Sequence, residues 1–290
     1  MRMTCVVGAV VALTLQIAAA AQRYPALGMV VAVDSPHQAI VVSHQSIAGY
    51  MDAMVMPFHV RSPKALDGVQ PGNQVAFTLV VEKNSSWAEN IRVVEFKSAE
   101  RDPVEARRLQ LLGSIIGSRR AAELTTGQPV PDFTLIDQNS QPVVLSRLAG
   151  KVVAMNFVYT RCPLPDYCFR FSNNFGRIQK RFATRMGRDL ILLTVTFDPA
   201  HDRPDVLAGY ARIWKAQPQA WHFLTGESSA VQPVCAMFGV GFWQDEGMFT
   251  HSLHTVVIDR SGILAANIEG NQYSAEQLGD VLDSVLSRAR

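Results

Sequence analysis

The sequence predicts two domains of different fold class, a small all-β barrel followed by an α/β domain. Its 290 residues are enough for two domains of ordinary size. Between residues 27 and 97, short apolar runs alternate with turn sequences, which is typical of a small barrel. From residue 127 onward, strand-like runs alternate with segments of helical periodicity, which is typical of an α/β sheet.

The barrel prediction rests on five strand-like segments at short intervals, separated by the turn sequences DSPH, PKALDG, QPGN and EKNSS. The segments are residues 29–33, 39–43, 55–60, 74–81 and 90–96. Short strands of this kind predict an OB-like barrel over residues 27–97. Residues 98–126 follow, and their content of Arg, Glu, Ala and Leu with one apolar stripe predicts a linking helix.

The α/β prediction covers residues 127–290. An extended segment at 132–136 comes first, and strands and helices then alternate. The predicted strands are 152–158, 190–197, 222–225, 253–258 and 263–268, and the predicted helices are 171–182, 204–214, 229–238 and 274–286. Ser274 is the expected N-cap of the last helix. Alternation that ends in a hairpin and a closing helix is the order of a thioredoxin-like domain.

The N-terminal segment has the pattern of a secretory signal. Arg2 precedes an apolar run that ends in AAAAQ, so we expect residues 1–21 to be removed by cleavage near Ala20 or Ala21. The alternative is an uncleaved segment that anchors the protein to the inner membrane. Either way the protein is predicted to be periplasmic, an oxidising compartment. Cleavage would remove Cys5 and leave three cysteines, Cys162, Cys168 and Cys235.

The composition is that of an ordinary soluble globular protein, with 48% hydrophobic and 18% charged residues. The formal net charge is +2, and no cluster of Lys and Arg occurs. Nucleic-acid binding is therefore not supported. No sequence feature argues for more than a monomer.

A cysteine pair follows the first strong strand of the α/β domain. The apolar run 152–158 leads into a loop with Cys162 and Cys168, and the predicted helix 171–182 begins just beyond. Reactive groups collect at such strand ends, and a helix N-terminus lowers the pKa of a nearby thiol. This spacing leaves three roles open for the pair: a structural disulfide, a redox-active pair, or two ligands of one soft metal ion. The structural bridge is the least favoured, because a disulfide across so short a loop removes little chain entropy.

A second candidate metal site lies in the predicted barrel. Met51, Met54 and Met56 follow closely after His44, and in an extended strand Met54 and Met56 share one face. Thioether sulfur together with imidazole selects Cu(I) over hard ions. Methionine also fills gaps in cores, but three beside a histidine favour a metal site.

The other candidate donors are two histidines and the third cysteine. Two thiolates need a third donor if they bind copper, and one imidazole would complete a trigonal set. His251 and His254 stand before a predicted strand, and at this spacing they cannot share one of its faces. Cys235 lies in an apolar helix and is expected to be a buried small hydrophobe.

The α/β segment resembles the SCO/SenC family, thioredoxin-fold copper proteins that help to assemble the copper centre of cytochrome oxidase. The resemblance covers residues 127–290 and rests on GQPVPDFTLIDQNSQPVVLSRLAGKVVAMNFVYTRCP, TFDPAHDRPDVLAGYARIW, WHFLTG and HSLHTVVIDRSG. In the family a histidine stands eleven residues before the glycine of the last motif, which here is His251 before Gly262. The resemblance therefore implies Cys162, Cys168 and His251 as ligands of Cu(I) or Cu(II), and not His254.

The chain departs from the family pattern at the cysteines. The family places three residues between them, whereas CPLPDYC has five, and Phe169 replaces the common proline that follows. Residues 239–270 contain no proline, so the cis-proline that thioredoxin-like oxidoreductases place opposite their cysteine pair is lacking. This absence favours metal handling over disulfide exchange.

The N-terminal segment resembles the periplasmic copper-binding protein CusF, through IVVSH, SIAGYMDAMVMPF and the closing strands. That family holds copper with one His, two Met and a capping tryptophan. The resemblance implies His44, Met54 and Met56 as ligands. Met51 occupies the place of the tryptophan, so a third thioether would replace the cation-π cap.

The predicted function is that of an exported copper chaperone whose partner is the cytochrome c oxidase subunit that carries the copper centre. Asp198, on the loop after its strand, is expected either to orient a site residue or to be a surface turn residue. The alternative is a periplasmic thiol-disulfide oxidoreductase, with Cys162 and Cys168 as its catalytic pair, Cys162 as the attacking thiol and a thiol reductant as a further partner. A copper-buffering protein without a client is a third possibility.

Overall fold

The computed structural model describes residues 21–94, 123–245 and 248–288. The predicted signal segment, apart from its last residue, and most of the predicted linking helix lie outside these ranges. Across the described ranges, every helix is too short or too polar to cross a lipid bilayer.

The N-terminal domain is a five-stranded antiparallel sheet in the order β3-β2-β1-β4-β5. Its strands are β1 (Gln22–Asp34), β2 (Ala39–His44), β3 (Met54–His59), β4 (Gln74–Val81) and β5 (Ser86–Val93). A bridge between Val60 and Ala88 joins the end of β3 to β5 and closes the sheet into a barrel. The all-β prediction is therefore confirmed.

Two strand boundaries differ from the prediction. β1 begins at Gln22 and not at residue 29, because residues 22–29 pair along their whole length with β4 even though they include Pro25. β5 begins at Ser86, where the two serines before Trp87 had indicated a turn. Pairing with a long partner strand overrides a weak local preference in both places.

The second domain has a central sheet in the order β10-β9-β8-β13-β14. Its strands are β8 (Val152–Val158), β9 (Leu190–Thr196), β10 (Trp221–Leu224), β13 (His254–Ile258) and β14 (Leu264–Glu269). β8, β9 and β10 are parallel, and β13 is antiparallel to both β8 and β14. The helices are α1 (Arg170–Arg181), α2 (Pro204–Ile213), α3 (Ser228–Met237) and α4 (Ala275–Ser287). This order confirms the thioredoxin-like prediction.

Two short hairpins lie outside the central sheet. One pairs β6 (Thr134–Ile136) with β7 (Pro142–Val144), and the other pairs β11 (Phe242–Asp245) with β12 (Met248–His251). Strand β6 falls within the predicted extended segment 132–136, whereas the other three strands were not predicted, because strands of three or four residues are too short to show a clear alternation. The second hairpin matters for the site, because His251 is its last residue.

Helix α4 begins with the predicted cap. The Ser274 hydroxyl accepts a hydrogen bond from the Gln277 amide at 3.2 Å, and the Gln277 side chain accepts one from the Ser274 amide at 3.1 Å. This reciprocal pair is a capping box, which satisfies two amide groups at the helix start. The N-cap prediction for Ser274 is confirmed.

The barrel packs directly on the second domain. Met29 and Val31 of β1 are buried in the core of the second domain, whereas Val30 between them faces the core of the barrel. Strand β1 is thus covered on both faces, which explains why three consecutive apolar residues occur there.

Candidate metal centres

The cysteine pair lies where the sequence placed it, between the end of β8 and the start of α1. All seven residues of β8 are buried, so the strand is a fixed support for the loop that follows. Cys162 is partly exposed in that loop, and Cys168 is buried in a single wide turn, Pro165–Phe169, that leads into α1. Both thiols are free. The structure brings the two sulfur atoms together despite the five intervening residues, since they interact by a hydrogen bond.

The two thiols have opposite electrostatic environments. The hydrogen bond from the Cys168 thiol lowers the pKa of Cys162 to about 6, and this outweighs the opposing effect of burial. Burial raises the pKa of Cys168 well above its usual range. At neutral pH the pair therefore holds one thiolate, on Cys162, and one thiol that donates to it.

His251 is the last residue of the β11–β12 hairpin, and its ring lies near that of Tyr159. Its Nδ1 atom donates to the Ser252 carbonyl at 2.9 Å, which leaves Nε2 as the free acceptor. Burial lowers the pKa of His251 to about 4, so the imidazole is neutral at physiological pH. A neutral imidazole with a free Nε2 is the form that binds a metal ion.

Tyr159 connects the cysteine loop with the histidine hairpin. Its ring stands edge-on to the His251 imidazole, with centroids 6.0 Å apart, and it also contacts Phe249 at 5.4 Å. Its hydroxyl interacts with Cys162. The three ligands implied by the SCO/SenC resemblance thus surround one buried tyrosine, a residue that sequence reasoning did not single out.

Two carboxylates fix the backbone just before Cys162. Asp198 is buried and accepts a hydrogen bond from Arg161 Nε at 2.8 Å. Asp202 is fully buried and accepts from the amide and the hydroxyl of Thr160 and from the Thr196 hydroxyl. Asp198 therefore orients Arg161, the residue next to Cys162, and its burial rules out a surface turn residue.

Sequence reasoning missed Asp202, although it lies in the same TFDPAHDRPD motif as Asp198. Asp198, His201 and Asp202 place their ligand atoms within 4.8 Å of one another. However, the oxygens of Asp202 are occupied by hydrogen bonds, including one from His201 Nδ1 at 2.9 Å. We therefore interpret this group as a support of the loop, not as a metal site.

The remaining candidate donors of the second domain have other roles. His254 is buried at the start of β13, and its Nδ1 pairs with Asn267 Oδ1 at 2.9 Å. Cys235 is buried in α3, and burial raises the pKa of its thiol. Cys235 is thus buried as expected, and the ring of His254 already has a hydrogen-bond partner.

The barrel brings His44, Met54 and Met56 to one face at the end of two paired strands. His44 lies directly opposite Met54 in the β2–β3 register, and Val42 lies opposite Met56. Residues in register share a face of the sheet, and alternate residues of one strand do as well. The expected common face for the two methionines is therefore observed, and His44 is on it.

His44 has the same ligand-ready arrangement as His251. It is buried, and its Nδ1 donates to the Gln45 carbonyl at 2.7 Å. Its Nε2 is also buried and has no hydrogen-bond partner among the described residues. An unpaired buried nitrogen is costly unless something binds it, and a soft metal ion would satisfy it.

The methionines form the open side of this group. The Met54 side chain is 49% exposed, whereas Met51 and Met56 are partly buried against the barrel core. Trp87 does not act as a free cap, because Arg61 covers its ring at 3.5 Å from the centroid. The role of Met51 as the replacement for a capping tryptophan stays a prediction.

Comparison with protein families assigns both domains. Residues 121–287 match the family model described as SCO1/SenC, and residues 23–92 match the model described as copper binding periplasmic protein CusF. Both resemblances seen in the sequence are confirmed. The copper prediction is confirmed at the level of the matched families.

Individual relatives cover the second domain. A Stutzerimonas stutzeri protein with the provisional name copper-binding protein is 27% identical over 166 residues, which is 56% of this chain and 78% of that protein. An SCO2-like protein from Rickettsia typhi is 30% identical over 137 residues, 45% of this chain and 64% of that protein. A crystal structure of an Aquifex aeolicus protein matches with a TM-score of 0.50 and 21% identity, over 57% of this chain and 95% of that one. The last match shows the fold.

Proposed function

Because this chain belongs to the SCO1/SenC family and has an N-terminal CusF-like domain, we propose that it is an exported copper chaperone that delivers copper to the cytochrome c oxidase subunit bearing the copper centre. The observation that carries the proposal is that Cys162, Cys168 and His251 all lie against one residue, Tyr159.

The second-domain site would hold copper with two sulfurs and one imidazole nitrogen. Cys162 offers a thiolate at neutral pH, and Cys168 would release its proton when it binds the ion. His251 offers a neutral Nε2. This set of soft and intermediate donors suits copper and not magnesium or calcium.

The barrel site would hold Cu(I) with His44, Met54 and Met56, and Met51 would supply a third thioether. Its support is the unpaired Nε2 of His44 on the face shared by Met54 and Met56. A site without thiolates keeps its ligands in an oxidising compartment, where a cysteine pair can be lost to a disulfide.

Export and the oxidase partner rest on the sequence and the families. Residues 1–21 have the features of a signal, with membrane anchoring by an uncleaved segment as the alternative. The matched barrel family is described as periplasmic. The oxidase subunit is the client that the SCO/SenC resemblance implies.

Copper delivery can be tested directly. The reduced, copper-loaded chain is mixed with the copper-free soluble domain of the oxidase subunit, and the absorption of the filled copper centre is recorded. We expect the Cys162→Ser, Cys168→Ser double variant to deliver much less copper. Cys235→Ala is the matched control, because that buried cysteine belongs to helix α3 and not to the cysteine loop. Equal delivery by the double variant would refute the proposal.

A second function has specific support in the unequal thiols. A partly exposed thiolate on Cys162 beside a buried thiol on Cys168 is also the arrangement of a thiol-disulfide oxidoreductase, in which Cys162 would attack. Multiple turnovers on a disulfide substrate with a thiol reductant and without copper would favour this function. Copper transfer without such turnover would favour the chaperone.

A further inference from the structure

The two proposed copper sites lie toward the same end of the molecule. Strand β14 is antiparallel to β13, which is antiparallel to β8, so β14 and β8 end at the same edge of the sheet. The cysteine loop follows β8, and the turn into α4 follows β14. A direct contact joins them, because Asn271 Nδ2 donates to the Asp166 carbonyl within that loop at 2.6 Å.

The strand that carries His44 is held by the first two turns of α4. Gln277 Nε2 donates to the Ser43 carbonyl at 3.2 Å, and the Ser43 hydroxyl donates to the Asp280 carboxylate at 2.6 Å. Ser43 directly precedes His44, so its side chain points to α4 while His44 points to the opposite face. The barrel is therefore anchored to the second domain next to its own candidate ligand.

The anchor also limits the distance between Ser43 and the cysteine loop. Asn271, which contacts the cysteine loop, and Gln277, which contacts Ser43, are six residues apart. Even a fully extended chain of that length spans only about 20 Å. Burial of Met29 and Val31 in the second domain holds the rest of β1 in place.

From this arrangement we propose that the copper donor of the Cys162, Cys168 and His251 site is the barrel of the same chain, docked on helix α4. The proposal rests on the proposed function of both sites. The anchor keeps the docked donor close to the cysteine loop, at a high effective concentration, of order mM for a short connection.

The transfer is a ligand exchange without electron transfer. Copper leaves His44 and the methionines as Cu(I), and these ligands stay neutral. It binds the Cys162 thiolate and then Cys168, whose proton passes to solvent, and His251 Nε2 completes the set. Thiolates bind Cu(I) more strongly than thioethers do, which sets the direction from barrel to cysteine pair.

The test compares transfer within one chain with transfer between chains. The full chain with its cysteine pair oxidised is loaded with one Cu(I) at the barrel, and a phosphine reductant then releases the thiols. The ultraviolet absorption of the copper-thiolate bond reports arrival. For comparison, a copper-loaded Cys162→Ser, Cys168→Ser chain is mixed with a copper-free, reduced His44→Ala, Met54→Ala chain.

For the full chain, we expect a rate constant of copper transfer that does not change over about a tenfold dilution of the protein. For the mixture of two variants, we expect the transfer rate to fall in proportion to the dilution. A full-chain rate that falls with dilution as the mixture does would overturn the proposal.

The role of the anchor has a matched pair of variants. Asp280 and Asp283 both accept from Arg181, but only Asp280 accepts from Ser43. Asp280→Ala should slow transfer within the chain several-fold, and Asp283→Ala should not. Equal rates in the two variants would overturn the docking claim.

Copper binding by the two variants that each keep a single site separates failure of the proposed function from failure of the transfer between domains. If either site fails to bind Cu(I) by itself, the proposed function fails. If both sites bind Cu(I) but copper moves between them only in a bimolecular reaction, the proposed transfer within the chain fails and the proposed function stands.

Discussion

His44 and His251 lie in different domains and share one local arrangement. In each, Nδ1 donates to the carbonyl of the next residue, at 2.7 Å for His44 and 2.9 Å for His251. This bond fixes the ring and the tautomer and leaves Nε2 for a ligand. The nearby His254 differs, because its Nδ1 is paired with a side chain of the adjacent strand. The bond to the next carbonyl separates the candidate ligands from the structural histidine.

Alkylation should distinguish the three cysteines. In the reduced, metal-free protein we expect iodoacetamide to react first with Cys162, and its rate to rise through a midpoint near pH 6, because that thiol is partly exposed and has a pKa of about 6. Cys168 and Cys235 are buried with raised pKa values and should react slowly. Mass spectrometry of the labelled peptides measures each rate. A midpoint near the ordinary cysteine value, about 8.5, would contradict this account of the pair.

The buried imidazole of His251 should make stability depend on pH. In the unfolded chain this group takes up a proton below about pH 6.5, whereas in the folded protein it does so only below about pH 4. Between these values the unfolded state binds more protons, so the free energy of unfolding falls as the pH is lowered. The expected loss from this residue is about 2 kcal/mol, less than the full shift implies because the ring is partly exposed.

The His251→Gln variant provides the control for that effect. Denaturant unfolding at pH 6.5 and pH 4.5 should show a smaller loss in the variant than in the parent protein. The same loss in both proteins would mean that other groups cause the pH dependence.

At the scale of elements, sequence reasoning placed the long strands and helices within one or two residues in the second domain. The run at β8 is apolar throughout and bounded by Gly150 and Pro163, so its nature and position are clear from local pattern. The β11–β12 hairpin is not clear from local pattern, because four-residue strands carry little periodic signal. His251 was therefore found by its spacing from Gly262 in a family motif, without the element that holds it.

Tyr159 and Asp202 show why part of the site could not be predicted. Their importance comes from contacts with residues far away in sequence, such as His251 for Tyr159 and Thr160 for Asp202. A single aromatic or acidic residue in a motif has no local signature of such contacts. The candidate ligands could be named from the sequence because their chemistry and spacing are distinctive.

Asp202 should be essential for the loop before Cys162. Asp202→Ala would leave the Thr160 amide and the Thr160 and Thr196 hydroxyls without their acceptor in a buried region. We expect a loss of about 2–4 kcal/mol in the free energy of unfolding. Asp205→Ala is the control, because its ion pair with Arg203 is exposed and should matter by less than about 1 kcal/mol. Denaturant midpoints measure both, and similar midpoints would contradict the proposed support.

At the scale of the whole molecule, the sequence indicated two domains but not their docking. Strand β1 shows the reason, since its run of Met29, Val30 and Val31 reads as an ordinary barrel strand. Only the structure shows that Val30 faces one core while its two neighbours face the other. Helix α4 likewise has a predictable cap, yet Gln277 of that cap also holds Ser43 of the barrel.

The most direct test of two soft copper sites in one chain is the Cu(I) stoichiometry of the reduced protein, measured by competition with a chromophoric chelator. We expect two ions per chain, one in the Cys162→Ser, Cys168→Ser variant, one in the His44→Ala, Met54→Ala variant, and none when all four changes are combined. A single ion in the parent protein that persists in the cysteine variant would contradict the account, because it would leave the Cys162 and Cys168 pair without copper.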